Sequence, residues 1–347
     1  MIFFKKYGGG ILVSTVLAFL SLFITKIIPY HFIGPGVLAL LMGMLLNPMT
    51  SKYSSLEKGF GFTSKKILRL AIILMGISLN FSQVLQVGKF SLIVMLFTLI
   101  TAFGGGYLVG KLFKMDWRLS GLISAGTGIC GGSAIAAVAP VIDAEDSQIA
   151  YAISATFIFD VLMVILFPIM GSYFSMTDLG YGLWTGTAVN DTSSVVAAGY
   201  AFSDIAGNFA VIVKLTRTLS IIPVVLIFSY LNDNLVRKTD AKNFSTTDTV
   251  SLHQSKKVSI GKIFPWFILM FLVMVIIKST GMIPDRISDF ISTVSKFFMI
   301  MSLGAIGLKT NFSKLAKSGF TPMFHGFIIS TLVVVVSFLV QMVIGQV

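Results

Sequence analysis

Residues 204–230 read DIAGNFAVIVKLTRTLSIIPVVLIFSY, and the reading of this stretch decides the fold. It exceeds the roughly 20 residues that a helix needs to cross about 30 Å of hydrocarbon, and most of its side chains are apolar. Yet it carries Lys214 and Arg217, three residues apart and therefore on one helical face. Arg217 lies close to the middle, where its stem is too short to return the charge to the membrane surface. An arginine facing lipid at that depth is costly on every scale. The face must look onto protein or water, within a bundle of helices.

The rest of the 347 residues agrees. Hydrophobic residues make up 55% and charged residues 12%, about half the charge of a typical soluble domain, and the mean hydropathy is +0.92. This excludes an ordinary soluble enzyme, and disorder with it. The apolar runs are long and continuous, unlike the short alternating strands of a membrane barrel. The fold class is all-α, a polytopic helical membrane protein.

Eleven candidate spans follow, near 8–29, 33–48, 65–80, 89–112, 117–141, 147–172, 181–202, 205–230, 262–280, 286–308 and 320–345. The fifth and seventh are interrupted. The net charge of +12 would suggest nucleic acid in a soluble protein, but here it matches the excess of Lys and Arg on cytoplasmic loops. With the amino terminus inside, nineteen of the 26 basic residues fall on the inner side, from Lys5 and Lys6 to Lys314 and Lys317. Four (Lys26, Lys89, Lys278, Arg286) fall outside and three (Lys214, Arg217, Lys296) within spans. The bias predicts a cytoplasmic amino terminus, an external carboxy terminus and an odd number of crossings in the inner membrane. That parity survives if the fifth and seventh segments are both re-entrant. Residues 1–29 lack a small-residue cleavage motif and read as a retained span. Residues 1–230 form an amino-terminal membrane region, 231–261 a polar cytoplasmic linker, and 262–347 a carboxy-terminal membrane region of three spans.

Two internal echoes stand out. GISLNFSQVLQVG (76–88) and GLKTNFSKLAKSG (307–319) match at Gly76/Gly307, Asn80/Asn311, Phe81/Phe312, Ser82/Ser313 and Gly88/Gly319. Their spans run in opposite directions, which predicts that 296–345 is the inverted counterpart of 65–112. GTGICGGSAIAAV (126–138) and GTAVNDTSSVVAA (186–198) match at an offset of 60, at Gly126/Gly186, Thr127/Thr187, Ser133/Ser193 and Ala137/Ala197. Counted as crossings, these two spans point the same way, which places the second echo outside a simple inversion.

The chemistry gathers in these segments. Gly126, Gly128, Gly131 and Gly132 would each cost about 1 kcal/mol inside a helix, so they mark either a break or close packing of small residues. A break frees N–H groups near Gly132, Ser133 and Ala134 for an anion. Asn190, Asp191, Thr192, Ser193 and Ser194 are five polar residues in a row and cannot all face lipid. Asp191 is a proton or cation site, or a cap for the next helix. Lys214 and Arg217 have Asp160 and Asp191 as candidate partners; one cation pairs with a carboxylate and the other meets the substrate, or both pairs are structural. Arg217 is the favoured ligand because its planar fork suits an oxyanion. Cys130 is the single cysteine, and His31, His253 and His325 lie far apart, so neither a disulfide nor a metal site is expected. Motifs for hydrolases, metalloproteases and nucleotide-driven pumps are missing, so no enzyme activity and no cofactor are expected.

GPGVLALLMGMLLN (34–47), RLAIILMGISL (69–79), GTGICGGSAIAAVAP (126–140), GTAVNDTSSVVAAG (186–199) and KLTRTLSIIP (214–223) resemble, over nearly the whole chain, the YeiH-type or UPF0324 (conserved hypothetical 698) membrane proteins, often labelled sulfate exporters. The resemblance implies a multi-pass inner-membrane transporter with inverted repeats and crossing broken helices. It implies a site at Gly131, Gly132, Ser133, Asn190, Asp191, Lys214 and Arg217; the residues themselves add Ser193, and Asp160 as ion-pair or coupling candidate. No paired Asp–Asp motif lies in a single span, which argues against electrogenic antiport. The expected function is secondary export of a small anion, sulfate or a related sulfur oxyanion. The alternatives are a proton- or sodium-coupled carrier of small organic solutes, and a membrane sensor or scaffold. Expected partners are a small inorganic or organic anion, a coupling proton or sodium ion, the lipid bilayer and a second copy of the chain, but no nucleic acid.

Overall fold

The structure, a computed structural model, describes residues 2–27, 34–79, 81–242, 266–310 and 319–346, and among these residues it is helical without strands. Six runs (Lys6–Ile27, Val87–Leu112, Asp146–Tyr173, Asp204–Leu235, Asp285–Lys309 and Phe320–Val343) are long and apolar enough to cross a membrane. The chain is a multi-pass membrane protein.

One bundle comprises α1 (Ile2–Ile27), α2 (Pro35–Thr50), α3 (Ser54–Phe62) leading into α4 (Leu68–Met75), α14 (Trp266–Ser279) and α15 (Asp285–Lys309). Its tightest seam joins α2 to α15. A Cβ at Gly43 would strike the backbone of Gly304 and Leu308, and one at Gly307 the backbone of Leu40, so only glycine allows this approach. The second bundle holds α5 (Phe81–Ile100) with α6 (Gly106–Leu112), then α7 (Trp117–Ala125), α8 (Gly132–Val138), α9 (Asp146–Tyr173), α10 (Asp178–Ala188), α11 (Thr192–Phe202), α12 (Asp204–Thr218), α13 (Ile221–Lys242) and α16 (Phe320–Val343).

The segments that carry the first echo are antiparallel where they meet: α15 runs against residues 63–78, and α16 against α6. Ser292 Oγ meets Ser78 Oγ (2.9 Å), while Ser295 Oγ donates to Ala71 O (2.7 Å) and Ser302 Oγ to Thr63 O (3.2 Å). Numbers rise along one segment as they fall along the other. Likewise Leu332 lies by Gly105, Ile329 by Gly106 and His325 by Gly110. Of the first echo, Asn80, Asn311, Phe312 and Ser313 lie outside the described residues.

The fifth and seventh segments take the re-entrant form. Asp116 Oδ1 caps α7 and also accepts from Gln148 Nε2 at the start of α9 (3.0 Å). The chain therefore leaves and returns at one end, folding back at Gly131. In the other segment Ser203 Oγ donates to Asp178 Oδ1 (2.5 Å) and Tyr181 OH to Ala198 O (3.0 Å), so α10 and α11 also form a hairpin. The first opens at the start of α9 and the second at its end. The hairpins thus enter from opposite ends of a 28-residue helix, about 42 Å long. The echo at offset 60, placed outside an inversion by the crossing count, runs in opposite senses after all.

Two boundaries also differ from the sequence reading. The helix pauses at Leu219 and Ser220, one turn before Pro223, whose ring lacks an N–H and crowds the carbonyl four residues back. Residues 231–242 of the expected linker continue α13, since LNDNLVRKTDAK contains no glycine or proline to stop it; residues 243–261 lie outside the described residues.

Candidate functional site

The hairpin tips meet halfway along α9. Gly131 has φ +63°, a left-handed backbone that favours glycine, and a Cβ there would lie 3.2 Å from Asp191 Cβ. Asp160, near the midpoint of α9, accepts from Asn190 N at Oδ1 (2.8 Å) and from Asp191 N at Oδ2 (3.0 Å). Asp191 in turn caps α11, its Oδ2 accepting from Ser193 N (2.8 Å) and from Ser193 Oγ.

The first arm of each hairpin stops at half depth, and a helix end leaves its last carbonyls without partners. Lys214 and Arg217 supply them. Arg217 donates from Nε to Gly128 O (2.6 Å), from Nη2 to Thr127 O and from Nη1 to Thr187 O (2.5 Å). Lys214 Nζ donates to Ile129 O (2.8 Å) and Val189 O (3.0 Å). Both side chains are 0% exposed. Two cations from one helix thus brace both tips, at the negative ends of two helix dipoles.

This revises the sequence reading of the pair. Among the described residues neither Lys214 nor Arg217 forms an ion pair with Asp160 or Asp191; the ion pairs found are Lys278–Asp285 and Lys296–Asp204. Arg217, favoured as the direct ligand, has three donors engaged by main-chain carbonyls. The reason is geometric: carbonyls orphaned at the tips lie nearer to α12 than the carboxylates do. Ala134 N, counted as free, donates to Gly131 O (3.2 Å).

Gly131, Gly132, Ser133, Asn190, Asp191, Ser193, Lys214, Arg217 and Asp160 nevertheless surround one junction. Ser133 is exposed, and Gly132, Asp191 and Thr192 are half-buried. Caps close the other arms: Asp116 on α7, Thr177 on α10 and Asp191 on α11. The start of α8 has only Gly131 before it, with no side-chain cap. Thr127, Thr187, Ser330 and Ser337 also line this region, and the sequence reading gave them no role. For the two serines the signal was the i, i+7, i+11 spacing of Ser330, Ser337 and Gln341 in a mostly apolar helix.

The family model described as conserved hypothetical protein 698 matches residues 9–326. The chain is 76% identical, over the full length of both, to a UPF0324 membrane protein of Clostridium tetani. It is 38% identical to one from Streptococcus pneumoniae, covering 99% of each chain. To a third, from Fusobacterium nucleatum, it is 36% identical over 97% of this chain and 98% of the relative.

Proposed function

The chain belongs to the conserved hypothetical protein 698 (UPF0324) family of membrane proteins, and from that premise we propose that it is a secondary transporter exporting a small anion, sulfate or a related sulfur oxyanion. The observation that carries this reading is the meeting of two opposed re-entrant hairpins at half depth, with charged groups buried behind them. A scaffold or sensor has no use for such a junction, which concentrates polar backbone where it is most costly. The uncapped first turn of α8 offers N–H groups of Gly132 and Ser133, joined by Ser133 Oγ and the half-buried Thr192. Lys214 and Arg217 act from behind, as positive charge under the tips rather than as direct ligands. Asp160 and Asp191 balance them and are the acceptors for a coupling proton or sodium ion.

The distribution of Lys and Arg supports an inner-membrane location with the amino terminus cytoplasmic and the carboxy terminus external. Re-entrance leaves that bias intact, because the two loops that change sides, 142–146 and 174–177, contain Asp143, Glu145 and Asp146 but no basic residue. Purified protein in proteoliposomes, tested with radiolabelled sulfate, sulfite and small organic anions, decides the matter. Saturable flux of an anion is the expected result. Flux of none, from folded protein, would remove the transporter reading.

A further inference from the structure

Thr127 and Thr187 hold matching places in the second echo, and both reach α16. Thr127 Oγ1 lies 3.4 Å from Ser330 Oγ, and Thr187 Oγ1 lies 2.6 Å from Ser337 Oγ. Ser330 also accepts from Asn190 Nδ2 (3.2 Å), so a single hydroxyl touches both hairpins. The second contact gains support nearby, where Trp184 Nε1 donates to Val334 O (3.0 Å). Ser330 and Ser337 are 0% exposed and two helical turns apart, hence on one face. A buried hydroxyl without a partner is costly, and a lipid-phase helix can fill such a face with alanine. These two hydroxyls are instead matched, one to each echoed threonine.

Helix packing through small residues alone would predict the same chemistry on the segment expected to be the inverted counterpart of α16. At the offset of 231 the positions that correspond to Ser330 and Ser337 are Leu99 and Gly106. At these two matched positions the hydroxyls are therefore found on α16 alone. Resting on the reading of the tips as the binding site, we propose that Ser330 and Ser337 are its positioning residues: from α16 they pin the two hairpins in register, and Ser330 orients Asn190, without either touching the anion.

The test uses the full-length protein and two readouts. The first is the KM and maximal rate of sulfite and sulfate exchange in proteoliposomes for Ser330→Ala, Ser337→Ala and Ser330→Thr. Each alanine variant should raise KM about five- to tenfold, the worth of one hydrogen bond, with the maximal rate close to the parent and the thermal midpoint lowered by a few degrees at most, because a buried partner is left unpaired. Ser330→Thr should restore the parental KM. Combining Thr127→Val with Ser330→Ala should cost little more than either alone. The second readout needs no transport. Cys130 is buried beside Gly131 at the first tip, and its maleimide labelling in Ser330→Ala should speed up about tenfold by the same loosening of the tips. Parental KM and parental labelling together would overturn the proposal, as would a fall in thermal midpoint with KM unchanged, which marks packing alone. Should the parent move no anion, the transporter reading fails, and the labelling rate still decides whether the serines pin the tips.

Discussion

Replacing Arg217 with alanine should undo the hairpin tips rather than merely weaken a ligand site. The side chain gives three hydrogen bonds to carbonyls of Thr127, Gly128 and Thr187, all at helix ends where the main-chain partners run out. A hydrogen bond to a charged group contributes about 1.5–3 kcal/mol, and the loss is larger where the remaining partner stays buried. Three such bonds come to about 5–9 kcal/mol, comparable with the whole stability of a typical domain, about 5–15 kcal/mol. Arg217→Ala should therefore give little folded protein. Arg217→Lys keeps the charge but replaces a planar fork with one ammonium, so it should retain one or two of the bonds and lose about 1.5–6 kcal/mol. Thermal unfolding in detergent, followed by tryptophan fluorescence, measures both. If Arg217→Ala folds with a midpoint within about 2 °C of the parent and loses only anion binding, the guanidinium is a ligand and the brace is wrong.

Three further outcomes follow from the same geometry. Gly131→Ala should lower the thermal midpoint by forcing an alanine into a backbone conformation (φ +63°, ψ −133°) that glycine alone adopts readily, which costs about 1–3 kcal/mol, and by driving a methyl against Asp191; a parental midpoint would mean that the tips do not touch. In a protein with Cys130 buried, cysteines introduced as Lys114→Cys and Ala144→Cys should react with a membrane-impermeant maleimide from the same side. Labelling from opposite sides would restore a true fifth crossing. The Lys296–Asp204 pair (2.7 Å, 39% and 66% exposed) ties the two bundles, yet as an exposed pair it is worth less than about 1 kcal/mol. Asp204→Asn should hardly change stability, whereas an oxidised Asp204→Cys/Lys296→Cys pair should stop flux until reduced, if the bundles move against each other.

How much of this could be read from sequence depends on what each signal measures. Apolar length and the glycine run gave the membrane class and the break at 131, because both are local costs that no tertiary arrangement removes. The hairpins were not legible in that way. A segment of about 25 residues has the same length and hydropathy whether it crosses a bilayer or folds back within it; only its ends tell, and the contacts Asp116–Gln148 and Asp178–Ser203 join residues far apart in the chain or across a turn of no fixed signature. Charge bias was equally silent, since neither displaced loop carries a basic residue. For Lys214 and Arg217 the sequence showed that two buried cations need partners, and a search among side chains returns Asp160 and Asp191. The actual partners are main-chain carbonyls, which every residue possesses and no motif displays. Yet the pieces constrain one another once hairpins are allowed. Each tip on its own strands several carbonyls where water cannot reach, and the echoed segments at 126–138 and 186–198 create two such tips. A following helix with two cations one turn apart can serve both only if the tips meet. The pair at 214 and 217, placed after two Gly-Thr echoes, is therefore the mark that two re-entrant hairpins leave in a sequence when a single helix must satisfy them together.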